Sequence, residues 1–359
     1  MRAAVGIVIV ISCLPLRILV AQGSAPSRHD VFLPVIGSAP ETGLQLGATW
    51  LRAYWRGPGE TTRPSRIQVA LIATTHHQRR ISASVDTWSS GNARRHRVSV
   101  EAQYYPLPVF GIGAEAPDEA EGRYTATGID AQWLFQQRVI GPIYAGATLR
   151  YDGLRARDED FSAWESLYPR PPLRTHPQVK AQAMLVRDTR DHQVAARAGA
   201  LLQVVGGTAT DRSAGSTRTS ARLSTDFRRY LSLPAHGVLA LQAAGTAMLR
   251  DGDVPDYFAA LGADTLMRGY VRDRFRDKAA VAAQAEWRSG FVGRVGFVAF
   301  GSAGALGARI GDLGSHGAVF AGGAGLRFRL SEADRSRIRV DYARGRQGGA
   351  LYVALGEAF

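Results

Sequence analysis

The chain has 359 residues, 45% of them apolar, which is enough for a large folded domain and unlike the composition of a disordered segment. Its formal net charge is +13, yet the arginines are spread through alternating segments and form no basic helix or tail, so nucleic acid is not the expected partner. The only cysteine is Cys13, which leaves the rest of the chain without disulfides or thiolate metal sites.

The first segment carries Met1-Arg2, an apolar run from Ala3 to Leu16, and small residues around Leu19-Val20-Ala21 before Gln22. This pattern predicts a secretory signal peptide over 1–21 and one domain over 22–359. Arg17 interrupts the apolar run and argues against a membrane anchor; Val10-Ile11-Ser12-Cys13 offers a lipoprotein box as the alternative.

Beyond the leader no stretch has the length and apolarity of a spanning helix, and segment after segment alternates with period two. In chain order the expected strands are 31–36, 43–54, 66–74, 80–88, 95–104, 125–136, 142–152, 178–187, 198–206, 218–230, 236–248, 280–288, 294–302, 318–330, 336–344 and 350–359. Within 95–104, Val98, Val100, Ala102 and Tyr104 lie on one face and Arg97, Ser99, Glu101 and Gln103 on the other. Within 280–288, Val281, Ala283, Ala285 and Trp287 oppose Ala282, Gln284, Glu286 and Arg288.

A soluble β-sandwich would alternate too. The strands, however, have about the length a tilted strand needs to cross a bilayer. Apolar faces ending in Tyr104, Tyr151 and Trp287 suit lipid with an aromatic girdle. The expected fold is therefore all-β, a transmembrane antiparallel barrel of about sixteen strands in the bacterial outer membrane. Residues 105–124, 153–176, 249–279 and 303–317 are expected as outside loops, with all long loops on one side; Ser232-Leu233-Pro234 and 331–336 are expected as periplasmic turns. The arginines would line a polar interior or meet the phosphates of outer-membrane lipid and lipopolysaccharide.

Little in the chain suggests chemistry. Histidines 76, 77, 96, 176, 192, 236 and 316 sit in no nucleophile motif, and no Gly-x-Ser-x-Gly elbow occurs. No catalytic residue, metal site or cofactor is expected, and an outer-membrane hydrolase is the less favoured class. Gly301 to Gly307 lacks the Lys of a phosphate loop, and Asp158-Glu159-Asp160 is expected to be a solvated loop segment.

A set of motifs, taken in order, resembles the BamA/TamA (bacterial surface antigen) family. They are Pro40-Glu41-Thr42-Gly43; Tyr105-Pro106 with Phe110-Gly111-Ile112-Gly113; Asp188-Thr189-Arg190-Asp191 with Gly199; Leu266-Met267-Arg268-Gly269-Tyr270; Arg274 to Lys278; Glu286-Trp287-Arg288; and Arg339 to Ala343 through Phe359. The resemblance implies that Arg268, Gly269 and Tyr270 form a loop-six tip held in the lumen, and that Asp188, Arg190 and Asp191 form a periplasmic turn. The family strand after loop six often reads Phe-x-Asp-x-Gly, and here Phe297-Val298-Ala299-Phe300-Gly301 puts Ala299 at the Asp position. Glu286 or Asp341 is then the expected partner of Arg268, because an unpaired buried guanidinium is costly. Phe359, with Leu355 and Val353 at even steps before it, resembles the C-terminal signal read by the barrel-assembly machine.

Family members that assemble or secrete other proteins carry POTRA modules before the barrel, whereas here the leader runs almost directly into the first expected strand. The function implied is assistance to protein or lipid insertion or translocation at the outer membrane, with the client unknown. The alternative is a passive pore or structural surface antigen.

Overall fold

The computed structural model describes residues 29–56, 63–117, 121–160, 176–213, 216–251, 257–315, 317–330 and 335–359. The leader expected over 1–21 and His316 lie outside the described residues.

The strands are β1 (His29–Ala39), β2 (Gly43–Tyr54), β3 (Ser65–Thr74), β4 (Arg79–Trp88), β5 (Arg94–Val109), β6 (Gly122–Ile140), β7 (Ile143–Asp152), β8 (Arg155–Asp160), β9 (Gln178–Asp188), β10 (Gly199–Ser213), β11 (Ser216–Ser232), β12 (Val238–Arg250), β13 (Ala259–Leu261), β14 (Phe275–Asp277), β15 (Ala279–Arg288), β16 (Val295–Gly307), β17 (Val319–Arg329), β18 (Arg337–Gly345) and β19 (Gly348–Leu355). All but β13 and β14 belong to one seventeen-stranded antiparallel sheet that closes where β1 meets β19. β7 and β8 are two stretches of one stave: β6 pairs with β7 as far as Asp130↔Asp152 and resumes with β8 at Thr127↔Arg155. The barrel thus has sixteen staves, the even number that returns both ends of an up-and-down barrel to one side.

Period-two alternation dictates which side chain faces what. On β15, Val281, Ala283, Ala285 and Trp287 face outward while Ala282, Gln284, Glu286 and Arg288 are buried inside. The outer surface exposes Ile81, Val100, Leu149, Leu185, Phe227, Phe297 and Phe328, with Tyr104, Tyr151 and Trp287 among the aromatics. An apolar exterior around a charged interior is the inverse of a soluble sandwich, and it makes lipid the outer solvent. No helix of the described residues is long and apolar enough to cross a membrane.

Four expectations need correction. β5, β6, β10 and β11 run to 16, 19, 15 and 17 residues, well beyond the ~9–11 that a bilayer requires. They carry the wall past the lipid on the loop-six side, so the loop expected over 105–124 narrows to 110–121. The loop expected over 153–176 begins with a strand, β8, which places the backbone of Asp158, Glu159 and Asp160 in the sheet. Loop length does not segregate cleanly by side. The end carrying both termini holds ten-residue connections at 55–64 and 189–198, while the loop-six end holds the tight hairpins at 40–42 and 346–347.

The fourth correction concerns the end of the chain, expected to be strand through 359. β19 stops at Leu355, Gly356 adopts a left-handed φ of +86°, and Phe359 turns into the lumen against Ala196, Tyr230, Val238 and Ala240. Leu355 stays on the outer face.

Candidate functional site

Residues 251–278 form the sixth loop-end connection. β13 and β14 pair within it, and its described part from 257 on lies inside the barrel, with Leu261, Met267, Tyr270 and Phe275 packed on Ala280, Ala282, Leu306 and Val319 of the wall. An apolar patch on the inward face of small-residue staves gives this loop its seat.

The tip of the loop is Arg268, whose side chain is wholly buried. Its Nη1 donates to Asp341 Oδ2 at 2.6 Å and its Nη2 to Glu286 Oε2 at 2.5 Å. The guanidinium stacks over the Phe300 ring at 3.5 Å, a cation–π contact strengthened by desolvation. Gly269, at φ +112°, donates its N–H to the Tyr352 hydroxyl at 2.9 Å. A Cβ there would come within 2.8 Å of the backbone at Arg344 and Gly345, so both conformation and space require glycine. The Tyr270 hydroxyl donates to the Phe320 carbonyl at 2.7 Å, and the Tyr352 hydroxyl donates to the Tyr270 carbonyl at 3.0 Å.

Around this tip is a ladder of charge that sequence reasoning did not assemble. Arg327 Nη1 reaches Asp341 Oδ1 at 2.5 Å and its Nε reaches Glu357 Oε2 at 2.6 Å. Arg288 Nε donates to Glu286 Oε1 at 2.7 Å, and Arg337 Nη1 to Glu357 Oε1 at 2.6 Å. Arg339 Nη2 holds Asp264 Oδ2 at 2.6 Å. Each buried carboxylate therefore accepts from two or more guanidinium groups, which offsets the desolvation of both signs. Inward parity was the available signal: Arg327 and Arg339 share the lumenal face with Asp341.

Ala299 does not occupy the position assigned to it. It faces outward on β16, and the inward residue is its neighbour Phe300. The match to Phe-x-Asp-x-Gly was one residue out of phase with the pleat.

Other segments of the motif set converge on loop six. Gly113 N–H donates to the Arg276 carbonyl at 2.8 Å, the Arg274 guanidinium lies 4.4 Å from the Phe110 ring centroid, and Arg272 Nε approaches Glu41 Oε1 at 3.5 Å. At the opposite end, Asp188 Oδ1 accepts from Arg190 Nε at 2.9 Å, and Asp191 Oδ1 accepts the Arg197 and Ala198 amides at 2.9 and 3.2 Å. Arg335 Nη1 binds Asp191 Oδ2 at 2.6 Å. Burial pushes the Asp191 carboxyl up, but Arg335 and the two amides outweigh it and hold the group below its ordinary value of 3.8.

The Omp85 superfamily domain matches residues 63–359. The chain belongs to the Omp85 superfamily. Among solved structures it is similar to BamA from Haemophilus ducreyi lacking POTRA domains 1-3, at 13% identity and a TM-score of 0.59, covering 92% of this chain and 70% of that one. It is also similar to CdiB from Acinetobacter baumannii, at 11% identity and a TM-score of 0.59, covering 93% of this chain and 66% of that one. At such identities the likeness is one of fold. No curated protein matches the sequence. As an Omp85 barrel the chain resides in the bacterial outer membrane. Among the described residues, no group of three or more His, Cys, Asp or Glu is arranged to hold a metal ion.

Proposed function

We propose that this Omp85 barrel is a non-enzymatic helper of protein or lipid insertion or translocation at the outer membrane, working through the seam between β1 and β19. The observation that supports this reading is the asymmetry of the seam. β1 is registered with β2 along its whole length, from His29↔Ala53 to Ala39↔Gly43, but with β19 at the single position Ser38↔Val353. Backbone ladders hold a barrel closed, so the closure fails first where the ladder is shortest, and an opened edge there can template an incoming strand.

In this reading Arg268, Gly269 and Tyr270 anchor loop six in the lumen through Glu286 and Asp341. Asp188, Arg190 and Asp191 brace the periplasmic turn. Phe359, Leu355 and Val353 serve the barrel-assembly machine during biogenesis, and outer-membrane phospholipid and lipopolysaccharide surround the staves.

The test is a cysteine pair across the seam, Ser38→Cys with Val353→Cys, expressed in a deletion strain. We expect the oxidised pair to leave other outer-membrane proteins depleted as the deletion does, and reductant to restore them. Full complementation by the locked barrel overturns the seam mechanism. A deletion that changes no other outer-membrane protein, together with steady conductance of the purified barrel, instead establishes the passive pore.

A further inference from the structure

We propose that the lumenal cavity beside loop six is a binding site for a phosphate-class oxyanion, with Arg222 as its central ligand. The cavity, about 560 Å³, lies in the loop-six half of the barrel between inward side chains of β4 to β7, β9 and β11 and the loop segment 257–276.

Seven of the lining side chains are Arg or Lys and four are Asp or Glu. The four acids are already engaged: Asp130 by Arg150 at 2.5 Å, Asp152 by Lys180 at 2.9 Å, Asp273 by Arg276 at 3.6 Å and Glu101 by Arg80 at 3.8 Å. Three cations are left over. Arg155 is exposed at the rim, and Arg272 turns to Glu41 at 3.5 Å. Arg222 makes no ion pair among the described residues. Its Nη1 has only a long contact of 3.4 Å to the Tyr257 carbonyl, its guanidinium lies 4.3 Å from the Tyr257 ring centroid, and its Nε is buried without a partner.

A half-buried guanidinium with no ion pair among the described residues is costly. Its retention in a roomy polar cavity that already holds a cation surplus fits a site completed by an anion. Phosphate oxygens suit the planar fork of arginine and can be shared with the neighbouring Lys180 and Arg150. The source is either a free phosphate or pyrophosphate, or the phosphorylated headgroup of an outer-membrane glycolipid entering from the loop-six end.

The experiment is calorimetric titration of the purified barrel with inorganic pyrophosphate in a non-ionic detergent at low salt. The wild type should bind saturably at one site, and Arg222→Gln should weaken binding by roughly tenfold or more, the loss of one charge-assisted contact. Arg222→Gln should fold at least as well as wild type on a heat-modifiability gel, because it removes an unpaired charge; lost affinity is then not lost structure. Arg187→Gln, on the lipid face of β9, should bind as wild type. Displacement of pyrophosphate by lipid A but not by its dephosphorylated form assigns the headgroup source, and no displacement assigns the free anion. Absence of saturable binding by the wild type, or an unchanged Kd in Arg222→Gln, overturns the site.

Discussion

Arg268 and Asp341 lie 73 positions apart in the chain, yet Arg268 Nη1 stands 2.6 Å from Asp341 Oδ2 with both side chains wholly buried. The contact ties the tip of a loop-end connection to the inner wall of β18, and through Arg327 it continues to Glu357 beyond the last strand. Position of the loop and position of the chain end are thereby parts of one network of charge.

Arg268→Ala should destabilise the barrel by about 3 kcal/mol, because Glu286 and Asp341 lose a shared counter-ion while remaining buried. The readout is a lower temperature for the heat-modifiability shift, with protease cleavage appearing inside 251–278. Arg268→Lys should recover little, since one ammonium cannot reach two carboxylates and stack on Phe300 at once. Unchanged midpoint and unchanged protease resistance in Arg268→Ala would show that the loop is held by its apolar seat alone.

The fold was largely legible because a membrane barrel writes its solvent into every second residue. β2 coincides with the segment expected at 43–54, and about half of the other staves lie within two residues of expectation at both ends. Legibility failed where lipid no longer enforces alternation. β5 continues through Pro106 and Pro108, beyond the length that a bilayer crossing needs, and β10 continues through Gly206-Gly207, where two glycines erase the alternation that would mark a strand. The ion network was half legible. Glu286 and Asp341 could be named from inward parity, whereas pairing Arg327 with Glu357 requires knowing that the chain turns inward at Gly356, which no alternation pattern encodes.

Phe359 separates packing from signalling. Its ring is buried beside Tyr230, 6.4 Å between centroids, and its carbonyl oxygen accepts from Arg288 Nη2 at 2.9 Å. Phe359→Ala should therefore cost about 3 kcal/mol in the refolded, purified barrel, seen as a lower midpoint in detergent, in addition to reducing the amount assembled in cells. A normal midpoint with reduced assembly would assign the residue to the assembly machine alone.

The 189–198 turn should loosen only in acid. Folding lowers the Asp191 pKa below 3.8, so its stabilisation is fully present above that value and is lost as pH falls through the folded value beneath it. Hydrogen exchange corrected for intrinsic rates should show the Arg197 and Ala198 amides protected at pH 4 and above and exposed progressively below it. Asp191→Asn should abolish that pH dependence. Protection that instead fades on the alkaline side would assign the turn to another group.

Ala299 and Phe300 give the sharpest discrimination, because adjacent residues on one strand face opposite solvents. Were Ala299 lumenal, as the motif match implied, Ala299→Asp would add a carboxylate near Arg268 and strengthen the anchor. The pleat places it on the outer face of β16, across from Trp287 and Ala324, so Ala299→Asp exposes a charge to lipid and should cost on the order of 1–3 kcal/mol, depending on its depth. Phe300→Asp carries the same change inward, beneath a guanidinium now 3.5 Å from the ring, and exchanges a cation–π contact for an ion pair. On a heat-modifiability gel Ala299→Asp should reduce folded barrel and Phe300→Asp should be tolerated better. The reverse order would mean that the register of β16 is shifted by one residue, and with it every inward assignment on that strand.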